Sequence, residues 1–122
     1  MMKKENNSRW ADIFRHLKLE GFDVRPPGQT VGQCKNRYIV VKFNGESQHG
    51  NFSTNDTFYG LLCYVPSNRY SEIDSFVREV QKSMKKMEPM ILPTNEISSS
   101  FFDEKFNAWY VSIGYKNYKR RI

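Results

Sequence analysis

Cysteine is scarce in this 122-residue sequence, occurring only as Cys34 and Cys63. Neither has a second Cys or a His at metal-ligand spacing, so the pattern does not describe a zinc site. Both read as reduced thiols, with Cys63 buried in a strand. Histidine is equally rare. His16 and His49 are separated by a predicted strand and a loop, with no carboxylate pattern around either. They therefore read as structural or surface residues, because a triad needs convergent base and nucleophile partners. Long apolar runs are missing too, and none approaches the ~20 residues a membrane-spanning helix requires. The start, MMKKENNSRW, has two lysines but no apolar segment or small-residue cleavage site behind them, so no secretory signal is expected. Glycine-rich phosphate loops, internal repeats and low-complexity segments are also absent.

What is present suits a globular chain. A 39% hydrophobic and 15% aromatic content is too apolar for a disordered polymer. The length fits one domain with one core, spanning residues 1–122. Net charge is +6, and its distribution matters more than its size. Lys116, Lys119, Arg120 and Arg121 fall in the last seven residues with no acid among them. The remaining body mixes both signs and offers no continuous basic stripe for a duplex.

Residues 8–21 place Trp10, Ile13, Phe14 and Leu17 on one helical face, with Ser8 as the expected N-cap and Gly21 as the stop. Residues 22–28 read as a short extended piece at a sheet edge, ended by Pro26 and Pro27. RYIVVKF, residues 37–43, has the β-branched and aromatic content of a strand. Residues 44–56 are polar and without period, which predicts a long loop, exposed in the isolated chain. TFYGLLCYV, residues 57–65, reads as a buried central strand.

Ile73, Phe76, Val77, Val80, Met84 and Met87 form one apolar stripe, predicting a helix over 71–87 that lies on the sheet, opened by a Ser71–Asp74 capping box. Lys82, Lys85 and Lys86 read as a solvated helix end. MILPTN predicts a short edge strand interrupted by Pro93. Residues 96–105 are extended or a loop. Residues 106–115 alternate, with Trp109, Val111, Ile113 and Tyr115 on one face and Ala108, Tyr110, Ser112 and Gly114 on the other. The basic segment 116–122 is expected to leave the sheet and project. The order of elements implies an α+β architecture, a mixed or antiparallel sheet with two helices on one face. The other face is expected to be partly apolar and to suit burial against another copy.

The N-terminal helix, RYIVVKF, the polar loop, LLCYVP, SEIDSFVREVQKSMKKM and a last strand ending in SIGYKNYKRR resemble, in that order, the tail-terminator or neck proteins of long-tailed bacteriophages and phage-tail-like particles. The resemblance covers most of the chain and is one of layout rather than of a catalytic signature. It implies a structural protein that forms a homo-oligomeric ring, commonly sixfold, capping the completed tail tube and joining it to the head connector. Implied partners are further copies, the tail-tube protein, the sheath and head–tail connector proteins, with contact to DNA passing through. No cofactor and no membrane are implied, and the location would be a virion or tail-like particle assembled in bacterial cytoplasm.

The candidate partner-binding residues are Asn44, Glu46, Gln48, His49 and Asn51 in the loop, and Lys116, Tyr118, Lys119, Arg120 and Arg121 in the tail. An alternative reading is a small nucleic-acid-binding module, since Tyr115 and Tyr118 interleave with the basic residues and aromatics can stack bases. An enzyme is the third. Asp23, Glu46, Asp56, Asp103 and Glu104 form no recognisable catalytic constellation.

Overall fold

A computed structural model describes residues 9–29, 32–48 and 54–120. Helix α1, Trp10–Leu19, buries Ile13 and Leu17, the inner part of its predicted apolar face. It ends at Gly21, whose φ of +96° is open to glycine at little cost. Ser8 lies outside the described residues. Arg9 takes the cap position without a side-chain cap bond.

Among the described residues there are six strands, β1 (Val24–Arg25), β2 (Tyr38–Gln48), β3 (Thr54–Pro66), β4 (Leu92–Ile97), β5 (Phe101–Asp103) and β6 (Ala108–Arg120), five where strands were expected and β5 within 96–105, read as extended or a loop. Across the sheet they run β1-β2-β3-β6-β4, and β5 also pairs with β6. The β1–β2 pair is parallel and every other pair antiparallel. Strand β3 is central, while β1 and β4 lie at the edges, as expected. The fold is α+β, a mixed sheet with helices packed on it.

Helix α2, Ile73–Met84, puts Ile73, Phe76, Val77, Val80 and Met84 into the same core as Ile13 and Leu17. That core rests on one sheet face, supplied by Val41, Tyr59, Leu61, Cys63, Val111 and Ile113 among others. The capping box does not form. A 3₁₀ turn over Ser67–Glu72 leads into α2, and Asp74 is engaged by Arg78 at 3.1 Å. The two helices are also tied directly: His16 Nε2 lies 2.9 Å from the Ser83 carbonyl, and Ser83 Oγ donates to Glu20 Oε1 at 3.1 Å.

The opposite face carries a second, smaller cluster of Cys34, Tyr38, Val40, Tyr64 and Ala108. Tyr38, Tyr64, Tyr110 and Phe101 stand opposite one another on successive strands. Their ring centres are 4.8, 5.1 and 5.7 Å apart along the row, and the Arg25 guanidinium lies 4.2 Å from the Tyr38 ring centre. The face is partly apolar, as expected, and part of it is closed by the chain itself. The segment bearing Cys34 crosses to the start of β6, where the Cys34 amide donates to the Phe106 carbonyl at 2.8 Å.

Two expectations about the polar segments are corrected. The predicted loop 44–56 is strand on both sides: β2 continues to Gln48 and β3 begins at Thr54. The predicted projecting tail is strand as well, because β6 continues through Arg120 and pairs with β3 down to Thr54. In both cases backbone pairing to β3 overrides a composition with little local strand preference.

Candidate functional site

The two corrected segments meet. Across the end of the sheet, Glu46 stands opposite Thr57 and Thr57 opposite Asn117. The next rows are Ser47, Asp56 and Tyr118, then Gln48, Asn55 and Lys119, with Arg120 opposite Thr54. Strand β3 thus brings candidates far apart in sequence to one place. Asn44, Glu46 and Gln48 lie on one side of it, and Lys116, Tyr118, Lys119 and Arg120 on the other. His49, Asn51 and Arg121 lie outside the described residues.

Charge here is partly neutralised. Lys116 Nζ lies 3.6 Å from Asp56 Oδ2, whose side chain is only 7% exposed. Thr57 Oγ1 donates to Glu46 Oε2 at 3.4 Å, and Asn117 Nδ2 donates to the Met90 carbonyl at 2.9 Å. The second of these fastens β6 to the segment between α2 and β4. Three cross-strand neighbours of β3, Glu46, Lys116 and Asn117, therefore do structural duty in addition to any binding role.

Beside this end lies a feature that the sequence pattern flagged only through two glycines inside strands. Gly60 pairs with Gly114 on the face away from the helices. Both flanking strands bulge toward that pair. In β2, Phe43 pairs with Tyr59 and Gly45 with Phe58, so Asn44 is extra. In β4, Pro93 pairs with Tyr115 and Ile97 with Ile113, so residues 94–96 are spread over Gly114 alone, with Asn95 at φ 67°. A bulge re-aims side chains. Asn44 leans over Gly60, Thr94 and Glu96 lean over Gly114, and between them is a groove of about 430 Å³.

Neither cysteine, both away from this end, is set up as a nucleophile. Burial pushes the Cys63 thiol strongly up and the Cys34 thiol up as well, and Cys34 donates to the Asn36 carbonyl at 3.2 Å. Among the described residues, no three His, Cys, Asp or Glu side chains converge as a metal site. Nor, among those residues, is any helix long and apolar enough to cross a membrane. Compared with known proteins, the chain matches no family model and no curated protein.

Proposed function

We propose that this chain is a structural assembly subunit, one that forms a ring terminating the tail tube of a phage or phage-tail-like particle and joins it to the neck or head connector. The observation that carries the reading is the polar end of the sheet. Strands β2, β3 and β6 run on past the residues that pack under the helices, and there the backbone register brings the 44–48 segment and the 116–120 segment to adjoining strands on either side of β3. Such a three-stranded end presents polar and charged positions in a fixed register to a neighbouring protein. The layout of the chain supports the same reading.

The nucleic-acid reading is the weaker one. Stacking bases between interleaved tyrosines and cations calls for an accessible, adaptable segment, whereas residues 116–120 are held in a paired strand and Lys116 faces Asp56. The deciding experiment is electron microscopy of particles assembled with and without the protein. Tubes of uncontrolled length or lacking heads in its absence are the expected result. Normal particles would overturn the reading.

A further inference from the structure

We propose that the pocket between the C-terminal end of α2 and strand β4 binds a small molecule carrying a single carboxylate, its anion held at Lys82 and Lys85 and its apolar body laid on Pro93 and Tyr115. The pocket encloses about 310 Å³, within the range of small-molecule sites. Gln81, Lys82 and Lys85 form its helical wall, Glu88 follows them, Pro93 and Asn95 come from β4, and Tyr115 comes from β6.

Tyr115 is the residue that asks for a ligand. It is only 3% exposed, yet its hydroxyl has no hydrogen-bond partner among the described residues. A buried donor is normally met. Burial, with the charges of Cys63 and then Glu88 adding to it, pushes the phenol pKa up, so the group stays a neutral O–H donor. Because Glu88 itself lines the pocket and acts on this hydroxyl, the unmet donor is on the pocket side of the ring.

Charge narrows the ligand. Lys82 and Lys85 are three residues apart on one helix and share a face. Their neighbour Lys86 is taken up by Glu20 at 2.9 Å, but neither Lys82, Lys85 nor Glu88 makes an ion pair among the described residues. Two ammonium groups against one carboxylate leave one positive charge over. The end of α2 brings about half a negative charge, less than that surplus. A single carboxylate therefore balances the pocket, whereas a phosphate monoester or a dicarboxylate brings more negative charge than it can neutralise. An inorganic anion would also leave the apolar surface of Pro93 and the Tyr115 ring unused.

Benzoate is the probe, with benzamide, phthalate and inorganic phosphate beside it, each followed by two-dimensional NMR of the isotope-labelled chain. Benzoate is expected to move the amide signals of residues 81–88, Asn95 and Tyr115. Benzamide, of the same shape but uncharged, should bind about tenfold more weakly, the loss of one charged hydrogen bond. Lys82→Gln with Lys85→Gln, both exposed positions, should lower benzoate affinity by at least about tenfold. Tyr115→Phe removes the hydroxyl but no bond within the protein, so its melting midpoint should hold while benzoate affinity falls about fivefold. Glu88→Gln should improve phthalate binding more than benzoate binding. Signals that do not move up to the solubility limit of benzoate, shifts centred elsewhere, or equal binding of benzoate and benzamide overturn the proposal. So does tighter binding of phosphate or phthalate than of benzoate by the unaltered chain, or an affinity for benzoate that survives both the lysine variant and Tyr115→Phe unchanged.

Discussion

Gly60 and Gly114 face each other across the two central strands, and each is roofed by a side chain from the strand beyond it. Neither glycine is there for its backbone angles, since neither has a positive φ. Both are there for space. A Cβ on Gly60 would lie 2.7 Å from Asn44 Nδ2, the end of a side chain that can swing away, whereas a Cβ on Gly114 would run into Thr94 Oγ1 on a stiff β-branched residue. Gly60→Ala is therefore expected to be nearly neutral, helped by the reduced freedom of the unfolded chain. Gly114→Ala should cost about 1–3 kcal/mol through overpacking. Urea denaturation checks both, and Thr94→Ala should recover part of the Gly114→Ala loss. Equal costs for the two glycines would contradict this account.

Phe76 is 1% exposed and lies between α2 and the rest of the core, with the Arg37 guanidinium 4.8 Å from its ring centre. Phe76→Ala should lower unfolding stability by about 3–5 kcal/mol, combining lost transfer energy with the cavity left behind. A thermal melt that barely moves would mean that α2 does not hold the core together.

Removing residues 116–122 is expected to destabilise the chain, because it strips the partner of Thr54–Phe58 and breaks the Asn117 bond to the Met90 carbonyl. Several paired backbone groups at about 1 kcal/mol net each put the loss on the order of 3 kcal/mol. Lys116→Met isolates the ionic part. It leaves the backbone intact and should cost about 1–2 kcal/mol, less than for a fully buried pair because Lys116 is partly solvated. Chemical denaturation of both variants tests this, and an unchanged midpoint on truncation would show that the strand end is not bound to β3 in solution.

Acid should loosen the junction between the helices. Hydrogen bonds from Lys86 and then Ser83 hold the Glu20 carboxyl below its ordinary range. Glu20 is thus ionised in the folded chain at pH values where the unfolded chain already binds the proton. Its contribution is full above about pH 4.3 and is lost as pH falls through the lowered folded value. Glu20→Gln should show its stability deficit at neutral pH, with the gap to the unaltered chain closing in acid. A gap independent of pH, measured by urea midpoints, would remove Glu20 from this role.

Helix α2 was legible in the sequence because its stripe, Ile73 to Met84, repeats at the helical period and ends up wholly buried. Strand β6 was legible as far as Tyr115 because Val111, Ile113 and Tyr115 alternate with smaller or polar residues. Past Tyr115 and past Phe43 that contrast disappears. The segments 44–48 and 116–120 are polar throughout, and only pairing with a third, distant segment makes them strands. For the same reason the candidate site was read as two separate pieces, since nothing local says that β3 lies between them. Strand β5 stays open in the sequence between an extended piece and a loop, for a different cause. Adjacent Phe101 and Phe102 break the alternation expected of a half-buried strand, because β6 offers an aromatic ring on each of its faces.

The row of rings from Tyr38 through Tyr64 and Tyr110 to Phe101 also gives the molecule an optical signature. Chromophores about 5 Å apart in a fixed orientation couple, so the near-ultraviolet circular dichroism should carry a strong tyrosine band. One ring comes from each of four neighbouring strands, so the band exists only while those strands remain side by side. Trp10 sits at the start of α1, and Trp109 is next to Tyr110 on β6 with its ring on the opposite face, beside Phe102 and Tyr70. Tyrosine dichroism and tryptophan emission, followed together during unfolding, would time the unzipping of this row against changes at α1 and on the other face of β6.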